Sequence, residues 1–417
     1  MGTVLAALRD DLDFHPSPVP DRPGLMVRDP LRYSDVALIL PPPLVRCLTC
    51  FDGAHSVADL HAVVLQETGR LDLVDAADEL VRALSDAGFL DDEAFRRLRA
   101  ARRDAFARAP LRTAAFAGDG YPHDRVKLAQ TIETWMRAPP PPAMGAAMEL
   151  PPAPGPSLPI LAIAAPHVSP IGGVASYGAA YRALGPELAD RTFVILGTSH
   201  YGQPNRFGLT RKPFQTPLGQ AVTDVALVDW LERAAPDAVD VEDYCQAVEH
   251  SIEFQVLFLQ ALFGPSVKIL PILCGPFWGP VSGHIPEDDP GVARVLDSLG
   301  RLRTATDAEL VWVLGVDMAH VGRRYGDDWD ARPHDGRMDE VAARDRARLE
   351  RVVAGDAGGF WKVVHERGHD DLKWCGTSPL YAFLHAHPRA RGRILHYDQW
   401  TIDEKSIVSF AAVAFSG

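Results

Sequence analysis

Ionisable side chains fall directly after several apolar runs in the second half of the chain. His167 follows LAIAAP, His200 follows FVILGTS, and Asp317 with His320 follows VWVLGV. Such runs read as buried strands, and the carboxyl ends of strands in an open α/β sheet form its ligand crevice. Histidines at the ends of consecutive parallel strands, about 5 Å apart, can face one cation. Cys375 opens KWCGTSPLYAFLHAH, a loop-to-helix junction. There the helix dipole lowers a thiol's pKa and favours the thiolate that metals bind. Each residue taken singly also fits a hydrogen-bonded structural role. Their convergence on one sheet edge is what points to a metal centre.

The elements that must carry these residues are repeated units in which an apolar run leads into a helix. LPILAIAAPH precedes VASYGAAYRAL, and RTFVILGTSH precedes a loop; VKILPILCG, ELVWVLGVDMAH, RGRILHYDQW and SIVSFAAVAF follow. The alternation predicts an α/β fold with a mostly parallel sheet flanked by helices. Upstream, FAGDGYPHDRVKLAQTIETWM gives a loop and an amphipathic helix, and a proline-rich insertion at about 138–159 suits an exposed loop. Residues 1–110 read as a small, mainly helical N-terminal domain, and 111–417 as the metal-binding domain. In the former, LMVRDP is a short strand and PPPLVRCLTCFDG a helix stopping at Gly53. Ser56 caps the next helix, and LVDAADELVRALSDAG repeats the pattern to Gly88. Cys47 and Cys50 lack the second pair that a zinc ribbon needs and read as buried apolar residues.

Five scattered cysteines do not form a disulfide framework, and no apolar run is long enough to span a bilayer. MGTVLAALRDDLDF lacks the basic start and apolar core of a signal peptide, so a cytoplasmic location and no membrane partner are expected. The net charge of −13 argues against broad nucleic-acid binding, and the arginines between Arg96 and Arg108 read as a solvated helix face.

Six motifs in order make the second domain similar to the Memo family, which includes the B component of the AmmeMemoRadiSam system. They are Ala165-Pro166-His167, Gly197-Thr198-Ser199-His200, Glu249-His250-Ser251-Ile252-Glu253, Val316-Asp317-Met318-Ala319-His320, Cys375-Gly376 and Ser406-Ile407-Val408-Ser409-Phe410. The resemblance implies a fold like that of class III extradiol dioxygenases, with cysteine, here Cys375, in the carboxylate slot of the metal site. It implies a non-haem metal-dependent oxidoreductase with His167, His200 and Cys375 as ligands to iron(II), or to copper or zinc. His250, Glu253, Asp317 and His320 match further motif positions and would orient ligands or move protons. The chain departs from the family pattern at Val168-Ser169-Pro170, at Tyr201, and at Phe254-Gln255 where Met-His is common. Those changes suit a specialised small-molecule or peptide substrate. Residues 20–110 resemble a PqqD-like winged-helix module, which implies peptide recognition and a radical SAM or peptide-modification partner.

Two other readings compete. His365-Glu366-Arg367-Gly368-His369 spells HExxH, a metallopeptidase signature that needs one unbroken helix, and Gly368 weakens that helix. A non-catalytic metal-containing binding protein is the other. Spare acids and bases beside the ligands favour catalysis over it. His385-x-His387 reads as an exposed helix end.

Overall fold

Four of the apolar runs form the strands Ile160–Ala165, Leu310–Gly315, Thr192–Thr198 and Lys268–Cys274, side by side and all parallel. The structure is a computed structural model that describes residues 3–70, 74–137, 159–277 and 284–417; the expected proline-rich insertion lies outside the described residues except for Pro159. The chain divides into two compact units, Met1–Arg108 and Ala109–Gly417.

Alternation along the four strands explains why they read as unbroken apolar runs. Ile163, Ile195, Val313 and Ile269 face one layer, with Leu128, Tyr177 and Phe258 from the helices Arg125–Arg137, Val174–Tyr181 and Glu253–Phe263. Their neighbours Ala164, Leu196, Leu314 and Leu270 face the other, against Leu296, Leu349 and Phe383 from Pro290–Arg301, Gly336–Val353 and Thr377–Ala386. Side chains of a strand point alternately to its two faces, so a sheet covered on both sides needs apolar residues at every position. The mixed α/β fold, with a mostly parallel core flanked by helices, agrees with the sequence reading.

The edges differ from it. The last two apolar runs are not further parallel units but an antiparallel hairpin, Arg391–Asp403 with Ser406–Ser416, docked antiparallel on Ile160–Ala165. Its turn at Glu404-Lys405 lacks the Asn-Gly or Asp-Gly pair that marks a tight hairpin in a sequence. The segment after His200, read as a loop, supplies the short strands Phe207–Leu209, Phe214–Thr216, Gly219–Thr223 and Val239–Val241 at the opposite edge. His387 is not an exposed helix end: its ring packs edge-on against Trp312 at 4.8 Å, and burial lowers its pKa to about 4.

In the first unit the strand Leu25–Arg28 lies between two others, Asp13–Pro16 and Ala37–Leu40, in an antiparallel sheet. Four-residue strands carry too little alternation to be read individually. The helices Val57–Thr68, Val74–Asp86 and Glu93–Arg108 follow. Ser56 and Asp59 form a reciprocal capping box on the first, and Gly69 ends it at φ 65°. Leu60, Val64, Leu80 and Leu84 build the core with Cys47 and Cys50, which are buried and free. Both cysteines lie in the 3-10 turn Arg46–Cys50 rather than in an α-helix. Among the described residues, no helix is long and apolar enough to cross a membrane.

One buried carboxylate joins three elements of the second unit. Asp345, in the helix Gly336–Val353, accepts from Trp374 Nε1 (2.8 Å), Tyr397 OH (2.8 Å) and Ser409 Oγ (2.6 Å). Ser409 Oγ in turn accepts from the Ala319 N–H at 2.9 Å. Burial raises Asp345 to about 6, against the opposing pull of those three donors and of Arg348. The folded chain therefore holds this proton more tightly than the unfolded one. The group's contribution to stability is full below the ordinary carboxylate value and is lost as pH rises through about 6. Between pH 7 and pH 5 the protein should gain about 1 kcal/mol relative to Asp345→Asn in denaturant titrations. An unchanged difference between the two proteins would contradict the assignment.

Candidate metal centre

The carboxyl ends of the central strands converge on a histidine cluster. His167 leaves Ile160–Ala165 through Pro166, and His200 leaves Thr192–Thr198 through Ser199. These two strands are not neighbours, contrary to the sequence reading, because Leu310–Gly315 pairs with both and separates them. The rings still meet, with centroids 5.0 Å apart, because both side chains lie beyond the last paired residues. His250 joins them from the loop before Glu253–Phe263, stacked on His200 at 4.9 Å and edge-on to His167 at 5.2 Å. One nitrogen from each of the three lies within 4.8 Å of the others, a group that could hold a metal ion.

Each ring's orientation follows from a specific partner. His167 Nδ1 lies 2.9 Å from the Gly315 carbonyl, which can only accept, so Nδ1 carries the proton and Nε2 is left facing the cluster. His200 Nδ1 lies 3.0 Å from Glu249 Oε2, while the same carboxylate takes the His200 backbone N–H at 2.6 Å. A carboxylate behind an imidazole fixes its tautomer and raises its basicity, the arrangement seen behind metal-binding histidines. Glu249 carried no role in the sequence reading, although its place directly before His250 was a signal. Burial disfavours a charged His200, but Glu249 and Cys375 outweigh it and raise its pKa well above an ordinary histidine's. His250 is held neutral by burial and by the charges of His200, His167 and His320.

Cys375 precedes Gly376, the N-cap of the helix Thr377–Ala386, so it lies at the loop-to-helix junction its sequence context indicated. Its Sγ lies 3.2 Å from His167 Nε2. Burial pushes the thiol up, but His167 and His200 more than offset it and bring the pKa down to about 7. The loop that presents it is clamped from behind. Asp370 accepts from the Trp374 N–H at 2.7 Å and pairs with buried Arg348 at 2.8 Å, and Arg348 lies over the Trp374 ring.

Asp317 and His320 also reach the cluster. Asp317 Oδ1 accepts from the His167 N–H at 2.9 Å, and Oδ2 lies 3.5 Å from His167 Nε2. Burial raises this carboxyl to about 6, with His320 and the backbone N–H groups of His167 and Val168 pulling the other way. His320 Nδ1 is 2.9 Å from the Met318 carbonyl, and burial lowers its pKa.

Glu253 does not face the cluster, and here the geometry corrects the sequence reading of it as a catalytic group. It is fully buried and accepts from Arg112 Nη1, the backbone N–H groups of Ala115 and Phe116, and Tyr121 OH. Four donors saturate the carboxylate. Its effect on the site is indirect, since the Phe116 it anchors packs edge-on against His250 at 5.5 Å. Gln255, one of the departures from the family pattern, is buried and bonded within the fold: Nε2 donates to the Pro166 carbonyl at 2.9 Å, and Oε1 accepts from Tyr181 OH at 2.7 Å.

The HExxH segment is not a helix. The helix Ala357–Val364 ends with His365 as its C-cap, and Gly368 turns the chain at φ 83°. His365 and His369 therefore share no helical face, and the metallopeptidase reading falls. Both instead line a cavity of about 600 Å³ that also borders His200 and Cys375.

Comparison with known proteins follows the second unit. The sequence model described as Memo-like protein matches residues 112–414. The chain is 26% identical over 312 residues to a MEMO1 family protein of Aquifex aeolicus, covering 74% of this chain and 76% of that one. It is 27% identical to one from Thermococcus kodakarensis, over 61% of this chain and 87% of the relative. A third, from Methanopyrus kandleri, is 26% identical over 73% of this chain and 98% of its own length.

Two expectations follow from the geometry. In metal-free protein at pH 7, limiting alkylating reagent should label Cys375 first, with a rate half-maximal near pH 7. Cys47, Cys50, Cys245 and Cys274 are all raised, burial being the largest cause in each. Preferential labelling of one of those four, read by mass mapping, would contradict this environment. Second, Glu253→Gln should cost about 3 kcal/mol of stability, as loss of one partner of a buried ion pair does. The folded fraction should keep its metal-binding capacity. An undiminished unfolding midpoint together with lost metal would reverse the structural assignment of Glu253.

Proposed function

Because the chain belongs to the Memo family, we propose that it is a metal-dependent redox enzyme or oxygenase whose metal is held by His167, His200 and Cys375. The observation that carries this is the inward convergence of His167 Nε2 on Cys375 Sγ at 3.2 Å, with the other nitrogen of each histidine committed to Gly315 or Glu249. The donor set fits a metal on chemical grounds. Two imidazoles with their tautomers fixed and a thiol with a pKa of about 7 suit iron(II), copper or zinc, and the resemblance to the dioxygenase fold is what favours iron(II) among them. When bound, the metal supplies redox and Lewis-acid chemistry.

The remaining groups serve proton movement and positioning. His250, held neutral, can accept a hydrogen bond from a substrate at the edge of the cluster and help to orient it. Asp317, raised to about 6, exchanges a proton near neutrality while its other oxygen holds the His167 backbone. His320, whose charge pulls the Asp317 pKa down, has Tyr325 edge-on to its ring at 4.9 Å. A structural metal needs no such set, which favours an enzyme over a non-catalytic binding protein. The substrate class in this reading is a small molecule or a peptide-derived group. The first unit, as a PqqD-like recognition module, would bring in a peptide or a radical SAM partner.

Protein purified without air should contain about one first-row transition metal per chain. Metal content should fall to near background in His167→Ala and His200→Ala, and Cys375→Ser should weaken binding because a neutral hydroxyl cannot replace a thiolate. Glu249→Gln should lower affinity about 10–100-fold, as loss of a partner behind a ligand does. Full occupancy in both histidine variants, measured by elemental analysis, would overturn the ligand set.

A further inference from the structure

The cavity beside Cys375 has walls that none of the chemistry above uses. At about 600 Å³ it falls within the usual size of a small-molecule site. Phe277, Trp361 and Trp374 line it, and all three are buried. Both indole N–H groups are taken up by other partners: Trp361 Nε1 donates to the His284 carbonyl at 3.0 Å, and Trp374 Nε1 to Asp345. The Phe277 N–H goes to Ser378 Oγ at 3.1 Å. With these donors satisfied, the aromatic wall presents mainly carbon to the cavity. Polar groups border it too, among them His200, Cys375, Ser199 and Asp370, with exposed His369 and half-buried Lys373 at the rim.

The broken HExxH segment explains part of this shape. His365 lies against Trp361 with ring centroids 4.0 Å apart, and its Nδ1 bonds to the Trp361 carbonyl at 3.0 Å. It backs the indole. Gly368 then turns the chain so that His369 reaches the rim. Phe277 and Trp361 both pack against Tyr381, whose hydroxyl is held by Glu287 at 2.7 Å. Among the described residues the wall is thus supported by packing from behind.

We propose that this cavity is the substrate subsite and that it takes a planar aryl group, with the ligand's reacting end directed at His200 and Cys375. Aromatic rings favour offset or edge-on contacts with other rings beyond what burial alone contributes. A saturated group of equal size gains the burial and loses that preference. The inference rests on the metal-centre reading only in taking Cys375 and His200 as the reacting end, and its test needs no metal.

The test uses the full chain, freed of metal by chelation, and three methanethiosulfonate reagents bearing methyl, benzyl or cyclohexylmethyl. The Cys375 thiolate attacks the sulfenyl sulfur, a disulfide forms, and methanesulfinate leaves with the electron pair of the broken S–S bond. Rates at Cys375, read by mass mapping, are divided by those of the same reagents on the urea-unfolded chain. Benzyl should exceed methyl by about tenfold or more after this correction, and exceed cyclohexylmethyl by several-fold. Trp361→Leu and Phe277→Leu should each cut the benzyl advantage substantially while leaving the methyl rate within about twofold. A corrected benzyl-to-methyl ratio near one in the wild-type protein would overturn the proposal. So would equal benzyl and cyclohexylmethyl rates, or a full advantage retained in both variants. Loss of metal binding measured separately would bear on the metal centre and leave this result standing.

Discussion

A close approach of backbone to backbone governs the site. The loop that carries Glu249 and His250 lies across the ends of two central strands, with Ser251 Oγ donating to the Thr198 carbonyl at 2.7 Å. It can lie there because glycine stands at the end of one strand, Gly315, and next to the end of the other, Gly197. A Cβ at Gly315 would collide with the Ser251 carbonyl, and one at Gly197 would come within 2.6 Å of Ser251 Oγ. From that contact Glu249 reaches His200 and His250 reaches both other rings. The Gly315 carbonyl on the same strand orients His167. Two residues without side chains thus let three strands and a loop share one small volume.

The thiol comes from the other side of the sheet edge and needs its own support. Its loop is tied to the helix Gly336–Val353 through Asp345 and Arg348, two buried charged residues that touch none of the proposed ligands. Asp345 also holds Ser409, which fixes the backbone between Asp317 and His320. One carboxylate therefore couples the segment presenting Cys375 to the segment presenting the acid–base pair. Burying it has a cost, visible in its raised pKa, and three hydrogen bonds offset part of that cost.

The parallel core was legible because its strands are apolar on both faces through their interiors, a pattern that only a sheet covered on both faces requires. His167, His200, Asp317 and His320 were legible because they follow those runs directly. Cys375 was legible from its place before a helix. Strand order was not, since nothing local in FVILGTS or VWVLGV says which run lies in the middle; that depends on helices packing from both faces. Glu253 was misread for a related reason. A motif records that a carboxylate stands one turn from a histidine, not which way it points, and its partners Arg112 and Tyr121 lie more than 130 residues earlier. Asp345 had no signal at all, being one acid among many on an amphipathic helix.

The central claim is that Cys375, rather than His250, completes the metal site with His167 and His200. X-ray absorption on the zinc-loaded protein measures this directly, because sulfur and nitrogen scatter differently and lie at about 2.3 and 2.0–2.1 Å from zinc respectively. The account predicts one sulfur and two imidazole nitrogens, the remainder being light atoms from water, with the sulfur lost in Cys375→Ser. A shell of three imidazoles without sulfur in the wild-type protein would contradict it and assign the third position to His250.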